Sequence, residues 1–147
     1  MVTITGGDKL QAALRDMAQK VANPATLSVG FLSGATYPDG TSVPMVAAIQ
    51  EYGRPPVQPP RPFFRRMIAR YSGEWPEAIG GLLKANGYDA EKALELTGAA
   101  VAGQLRQSIT DLVDPPLAPS TIRRKGFDKP LIDRGILLAS VDYEVKT

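Results

Sequence analysis

The chain contains no histidine and no cysteine, and these two absences remove most of the familiar enzyme chemistries. Without imidazole or thiolate there is no zinc site built on those ligands, no Ser-His triad and no Cys-His dyad. Carboxylate, lysine, tyrosine and Ser-Lys chemistry remain, but histidine carries much of general acid–base catalysis. The expectation is therefore no enzyme, no metal and no cofactor. Zero cysteine also excludes disulfides and fits assembly in a reducing cytosol. No apolar run approaches the ~18 residues needed to cross a bilayer. The first eight residues, Met1 to Asp8, carry neither the charged nor the apolar region of a signal peptide.

What is present describes one ordinary core. At 147 residues and 44% hydrophobic, the chain is too short for two comfortable domains. Glycine (14) and proline (13) together make about 18% of the chain, against an average near 12%, which predicts long loops or arms. The net charge is only +2, yet its distribution is uneven. Arg54 to Arg70 holds five arginines and no acid. Arg123, Arg124, Lys125 and Lys129 form a second basic cluster, while the acids gather between Glu74 and Glu95 and at Asp111 and Asp114. Such asymmetry suits a protein that meets differently charged neighbours on different sides.

Periodicity predicts the elements. Leu10, Ala13, Leu14, Met17, Ala18 and Val21 recur at helical spacing, giving an amphipathic helix over 8–22 that Pro24 ends. Leu27, Val29 and Phe31 alternate as a strand. Ser33–Ser42, with Pro38-Asp39-Gly40 inside, reads as a turn or projecting loop. Ser42 can cap a helix that carries Pro44 in its first turn and stops at Gly53. The run Pro55-Pro56-Val57-Gln58-Pro59-Pro60 predicts an extended, polyproline-like arm. Beyond it, Phe63, Phe64, Met67, Ile68 and Tyr71 share one sector of a helix, with Arg61, Arg65, Arg66 and Arg70 on the other. Trp75-Pro76 opens a further helix to about Asn86. Asp89 caps the longest one, Ala90 to about Leu112, with a buried stripe at Leu94, Val101, Leu105, Ile109 and Leu112. Gly98 and Gly103 in its bare middle predict a close backbone approach, either intramolecular or from a neighbouring subunit, since each glycine weakens a helix by roughly 1 kcal/mol relative to alanine.

The closing segment is the densest in signal. Pro130 sets an extended approach, Asp133 can cap a short helix over Arg134 to Ala139, and Val141, Tyr143 and Val145 then alternate with Asp142 and Glu144. Leu137 or Leu138 should enter the core, and the last strand should pair into the sheet. The fold class expected is α+β: a small mixed or antiparallel sheet packed against one long helix, with shorter helices and extended loops.

Two blocks carry a resemblance. Ser120-Thr121-Ile122-Arg123-Arg124-Lys125-Gly126 followed by Pro130-Leu131-Ile132-Asp133-Arg134-Gly135 and Ser140 resembles the "STxxRKG…PLxDTGxLxxS" wording of the tail-completion or neck proteins of tailed bacteriophages. Arg134 stands where that family has threonine. Ahead of it, Glu51-Tyr52-Gly53 and then Pro60-Arg61-Pro62-Phe63-Phe64-Arg65 is similar to the family's "EFG…PxRPFxR" element. The two blocks lie in the family's order, and with the N-terminal helix the resemblance covers nearly the whole chain.

The resemblance implies a structural virion protein that forms part of a ring at the head–tail junction, a hexamer by the symmetry of such tails. It would be assembled in the bacterial host cytoplasm and would touch other neck and tail proteins, with no membrane partner. On that reading the loops at Ser33–Ser42 and Arg54–Arg61 engage neighbours. The candidate interface residues are Tyr37, Arg54, Pro59, Pro60, Arg61, Arg65, Arg66, Arg70 and Arg134, and Arg123, Arg124 and Lys125 are candidates to face passing DNA. From the residues alone three readings of the arginine helix stay open: phosphate contact, pairing with an acidic neighbour, or a solvated face. A non-specific nucleic-acid-binding module is the first alternative function, and a small hydrolase using serine or carboxylate groups is the second. Gly6-Gly7-Asp8-Lys9 lacks the rest of a phosphate loop, and Gly30-Phe31-Leu32-Ser33-Gly34 has its serine one place late for a nucleophile elbow. Glu91 and Glu95, one turn apart, read as a structural pair.

Overall fold

A single long helix organises the computed structural model, which describes residues 5–112 and 135–147. Arg123, Arg124, Lys125, Lys129, Pro130, Asp133 and Arg134 lie outside the described residues. The described elements are α1 (Gly7–Ala22), β1 (Thr26–Phe31), α2 (Val43–Tyr52), α3 (Phe63–Tyr71), a 3-10 turn (Ser72–Glu74), α4 (Trp75–Ala85), α5 (Ala90–Thr110) and β2 (Val141–Lys146). Residues 135–139 are also helical.

Helix α5 starts as its sequence predicts. Asp89 is extended, and its side chain accepts a hydrogen bond from the Lys92 N–H at 3.1 Å. Its buried residues include Ala93, Thr97, Val101, Leu105 and Ile109, with Gly98 and Ala102 beside them. Val101, Leu105 and Ile109 match the expected stripe, whereas Leu94 and Leu112 are only partly covered. The upper half of the face is turned by one residue because the sheet approaches there, and only small side chains leave it room.

The sheet joins the two ends of the described chain. β1 and β2 pair antiparallel, Thr26 opposite Lys146 and Phe31 opposite Val141, so Leu27, Val29 and Phe31 stand across from Val145, Tyr143 and Val141. A two-stranded ribbon is marginal by itself in water, and here both strands pack on α5. A β-carbon at residue 98 would lie 2.7 Å from Tyr143 Cγ and 2.8 Å from Leu27 Cδ1. The close approach expected from the glycines is thus intramolecular at Gly98; nothing lies within 4 Å of the equivalent point on Gly103.

The other helices close the core. Phe63 and Met67 of α3, Val43 and Ala47 of α2, and Leu137 of the short helical stretch are all buried with Leu105 and Ile109. Phe63 meets Phe31 edge-on at 6.0 Å. Trp75 donates its indole N–H to Gln104 Oε1 at 2.9 Å, tying α4 to α5. The fold is α+β, a small antiparallel sheet against one long helix, with Leu137 in the core and the last strand paired as the sequence predicts.

The structure makes three expectations specific. Of the turn or projecting loop expected over 33–42, it is the turn that forms: Thr36 bridges Ser42, Tyr37 N–H bonds to Thr41 O at 2.8 Å, and Val43 N–H to Ala35 O at 3.0 Å. That ladder turns the Tyr37 ring into the core. The proline stretch, in contrast, is no extended arm. Arg54 and Gln58 exchange both backbone hydrogen bonds at 2.9 Å and close a tight loop over Pro55, Pro56 and Val57. Pro55 and Pro56 remove donors inside the loop, and Arg54 and Gln58 on either side keep theirs. Helix α1 forms where expected but buries none of its residues, so its apolar face is not part of this core.

Candidate functional site

The two halves of the Glu51–Arg65 block meet in space, and a buried glutamate joins them. Glu51 sits on the inward face of α2 with Val43 and Ala47, at four-residue spacing, and is 5% exposed. Ser42 fixes the start of that helix by accepting from Met45 N–H at 3.4 Å, and Gly53 ends it, bonded to Ile49 O at 2.8 Å. The carboxylate reaches the first turn of α3. Oε2 accepts from Phe64 N–H at 2.9 Å, and Oε1 accepts from Arg65 N–H at 3.1 Å. Those amides are among the donors that a helix N-terminus leaves unsatisfied, and the helix dipole there favours a negative charge. Pro62, the residue before α3, offers no capping side chain of its own.

Arg65 completes the latch. Its Nε donates to Glu51 Oε1 at 2.8 Å and its Nη2 to Glu51 backbone O at 2.9 Å. Its guanidinium also lies 5.1 Å from the Tyr52 ring centroid, within cation–π range. The buried carboxylate therefore has donors on both oxygens, as a buried charge requires.

Between the two halves the chain makes the tight proline loop. Gly53 takes φ +77°, and a β-carbon there would lie 2.7 Å from Pro60 N. Only glycine adopts that conformation at so close an approach without strain. Arg61 N–H bonds to Gln50 O at 2.6 Å and its side chain to Gln50 Oε1 at 3.5 Å, so the returning limb is tied to the residue just before Glu51. Val57 at the loop tip is 82% exposed, and Arg54, Pro59 and Pro60 are exposed around it.

The structure therefore brings Arg54, Pro59, Pro60, Arg61 and Arg65 into one supported projection. Arg66 and Arg70 lie further along α3 and line a polar cleft of about 220 Å³ with Tyr71, Ser108 and Asp111. Arg70 rests over Tyr71 at 5.2 Å. Tyr37 is apart from this surface, in the core. Arg134 and the Arg123–Lys125 cluster lie outside the described residues. Glu91 and Glu95 are exposed on α5, and among the described residues no group of three acids is placed to hold a metal ion.

Glu51 is the residue that the sequence reading missed. The signal was there: it is the lone acid between Asp39 and Glu74, just ahead of an arginine-only run, and it falls on the apolar face of its helix. No family model, curated protein or solved structure matches this chain.

Proposed function

We propose that this chain is a structural subunit of the head–tail junction of a tailed bacteriophage, acting in a ring through contacts with copies of itself and with other neck and tail proteins. The observation that carries this reading is the latch. The residues that resemble the family's first block form one mechanical unit in which Glu51 and Arg65 hold a short, exposed, proline-stiffened loop away from the core. A loop supported in that way suits docking, because little conformational freedom is left to lose on binding. Engagement of Arg65 by Glu51 and of Arg61 by Gln50 withdraws two of the five arginines from a phosphate-binding role, which favours protein neighbours over DNA for this face. The resemblance of the second block, at Ser120–Gly126 and Pro130–Ser140, supports the same reading from sequence. The ring symmetry expected from such tails is six-fold.

The test is genetic and visual. A stop codon in this gene, within its own phage genome, should yield filled heads and finished tails that remain separate under the electron microscope. Particles that join normally without the protein would overturn the reading.

A further inference from the structure

Among the described residues, helix α1 and an apolar groove on the same chain each lack a partner, and each has the form the other needs. We propose that α1 of one copy seats its Leu10, Leu14, Met17 and Val21 stripe in the groove between α3 and α4 of a second copy. This rests on the ring reading above only in that it names the contact between copies.

Among the described residues, the helix has no partner on its own chain. It buries no residue and makes at most marginal contact with other elements. Leu10 is 63% exposed and Leu14 56%. A surface helix with such a stripe ordinarily turns it to a core. The link to β1 is Asn23-Pro24-Ala25, without glycine. Pro24 disfavours a helical turn at the residue before it, and Asn23 is extended at φ −73°, ψ 119°. The link therefore leads α1 away from β1 and does not reverse it onto the body.

The groove is open and apolar. Its volume is about 290 Å³, and Leu27, Val29, Phe64, Ile68, Trp75 and Ile79 line it. Ile68 is left 40% exposed at its mouth. The pairs Phe64–Ile68 and Trp75–Ile79 are each one helical turn apart, so two parallel rows of side chains offer a slot for a third. Charge agrees as well. Lys9 falls in the row beside the stripe, Lys20 being engaged by Asp16 at 3.1 Å, and the Trp75 end of the groove carries exposed Glu74 and Glu77.

Area selects the occupant. A helix of 16 residues is about 24 Å long and ~10 Å wide, so covering one face removes roughly 500 Å² from each partner. The total of about 1,000 Å² is at the threshold for a specific interface. Because helix and groove are different patches, each copy donates one and accepts one, and the contact propagates head to tail. A subunit inside the assembly thus gains two such contacts, which a single foreign partner would not supply.

The absence of native cysteine makes the test clean. The full chain carrying Leu14→Cys is mixed with the full chain carrying Ile68→Cys and oxidised; both positions are exposed, so the fold is retained. Mixed cross-linked dimers should predominate over like-with-like dimers. In parallel, the unmodified chain should sediment above its 15.7 kDa monomer mass, and Leu14→Asp should shift it to the monomer with an unchanged circular-dichroism spectrum. A monomeric unmodified chain, or like-with-like dimers at chance proportion, would overturn the proposal. So would a chain carrying both Leu14→Cys and Ile68→Cys that oxidises to an internal disulfide at monomer mass, which would mean that α1 closes on its own groove. These readouts need no phage particle. A chain that cross-links as expected while particles join without it overturns the junction reading alone.

Discussion

The Tyr143 ring occupies the space that a β-carbon on Gly98 would need, with Tyr143 Cγ 2.7 Å from that point. β2 can lie this close to α5 only because residue 98 has no side chain.

Gly98→Ala should therefore destabilise the protein. The ring and Leu27 must shift, and overpacking of this kind typically costs about 1–3 kcal/mol, against a helix-propensity gain near 1 kcal/mol. Gly103→Ala, five residues on and unobstructed, should instead stabilise by about 0.4–1 kcal/mol. Urea denaturation of the two variants should move the midpoint in opposite directions.

Removing the latch should cost more than removing a surface charge. Glu51→Ala leaves the Phe64 and Arg65 amides and the Arg65 guanidinium without their acceptor, an expected loss of about 2–4 kcal/mol. Faster proteolysis between Gly53 and Arg61 should accompany the lower melting temperature, since the loop loses its anchor.

Charge reversal should separate stability from assembly. From sequence alone Arg65 and Arg66 stand on a face whose reversal leaves the monomer folded. The structure changes that expectation for Arg65, because Arg65→Glu sets a second carboxylate against buried Glu51. A loss of about 1–3 kcal/mol is expected, limited by the exposed outer part of the side chain. Arg70→Glu should leave the thermal melt within about 0.5 kcal/mol of the parent, yet fail to enter particles if this face meets an acidic neighbour. Normal particle yield with Arg70→Glu would mark that position as merely solvated.

Loss of the last strand should unfold the domain. Val141 and Leu137 are buried, and β1 has β2 as its sole partner among the described residues. Leu137→Ala should cost about 2–5 kcal/mol. A chain ending at Ser140 should lose its cooperative melt, as followed by circular dichroism. A sharp transition within a few degrees of the parent would mean the strand is an attachment and no part of the core.

The features legible in sequence were those with a local cause. Ser42 and Asp89 announce their helices because a cap is decided within three residues, and the Val141–Val145 alternation announces a strand because its period is two. The Glu51 latch was not legible, because its carboxylate depends on the chain returning 14 residues later. The proline loop misled for the opposite reason: composition removed donors from Pro55 and Pro56, while the geometry is set by Arg54 and Gln58 on either side. In α1 the periodicity correctly gave a helix with an apolar face. What covers that face is not encoded by spacing, and the described residues of one chain do not supply it. The small residues of α5 were read as an approach site, but Gly98 and Gly103 look alike until the strand is in place.

The pairing of Thr26 with Lys146 also sets a timetable. Contacts between distant parts of a chain form late, after the cost of closing the intervening loop has been met. On the ribosome β1 emerges ahead of α2, α3, α4 and α5 and must wait for all of them before it finds its partner. A product that stops short of β2 never completes the sheet, and its open apolar face would mark it for proteolysis or aggregation. The closing strand thus makes completion of the fold conditional on translation through residue 146.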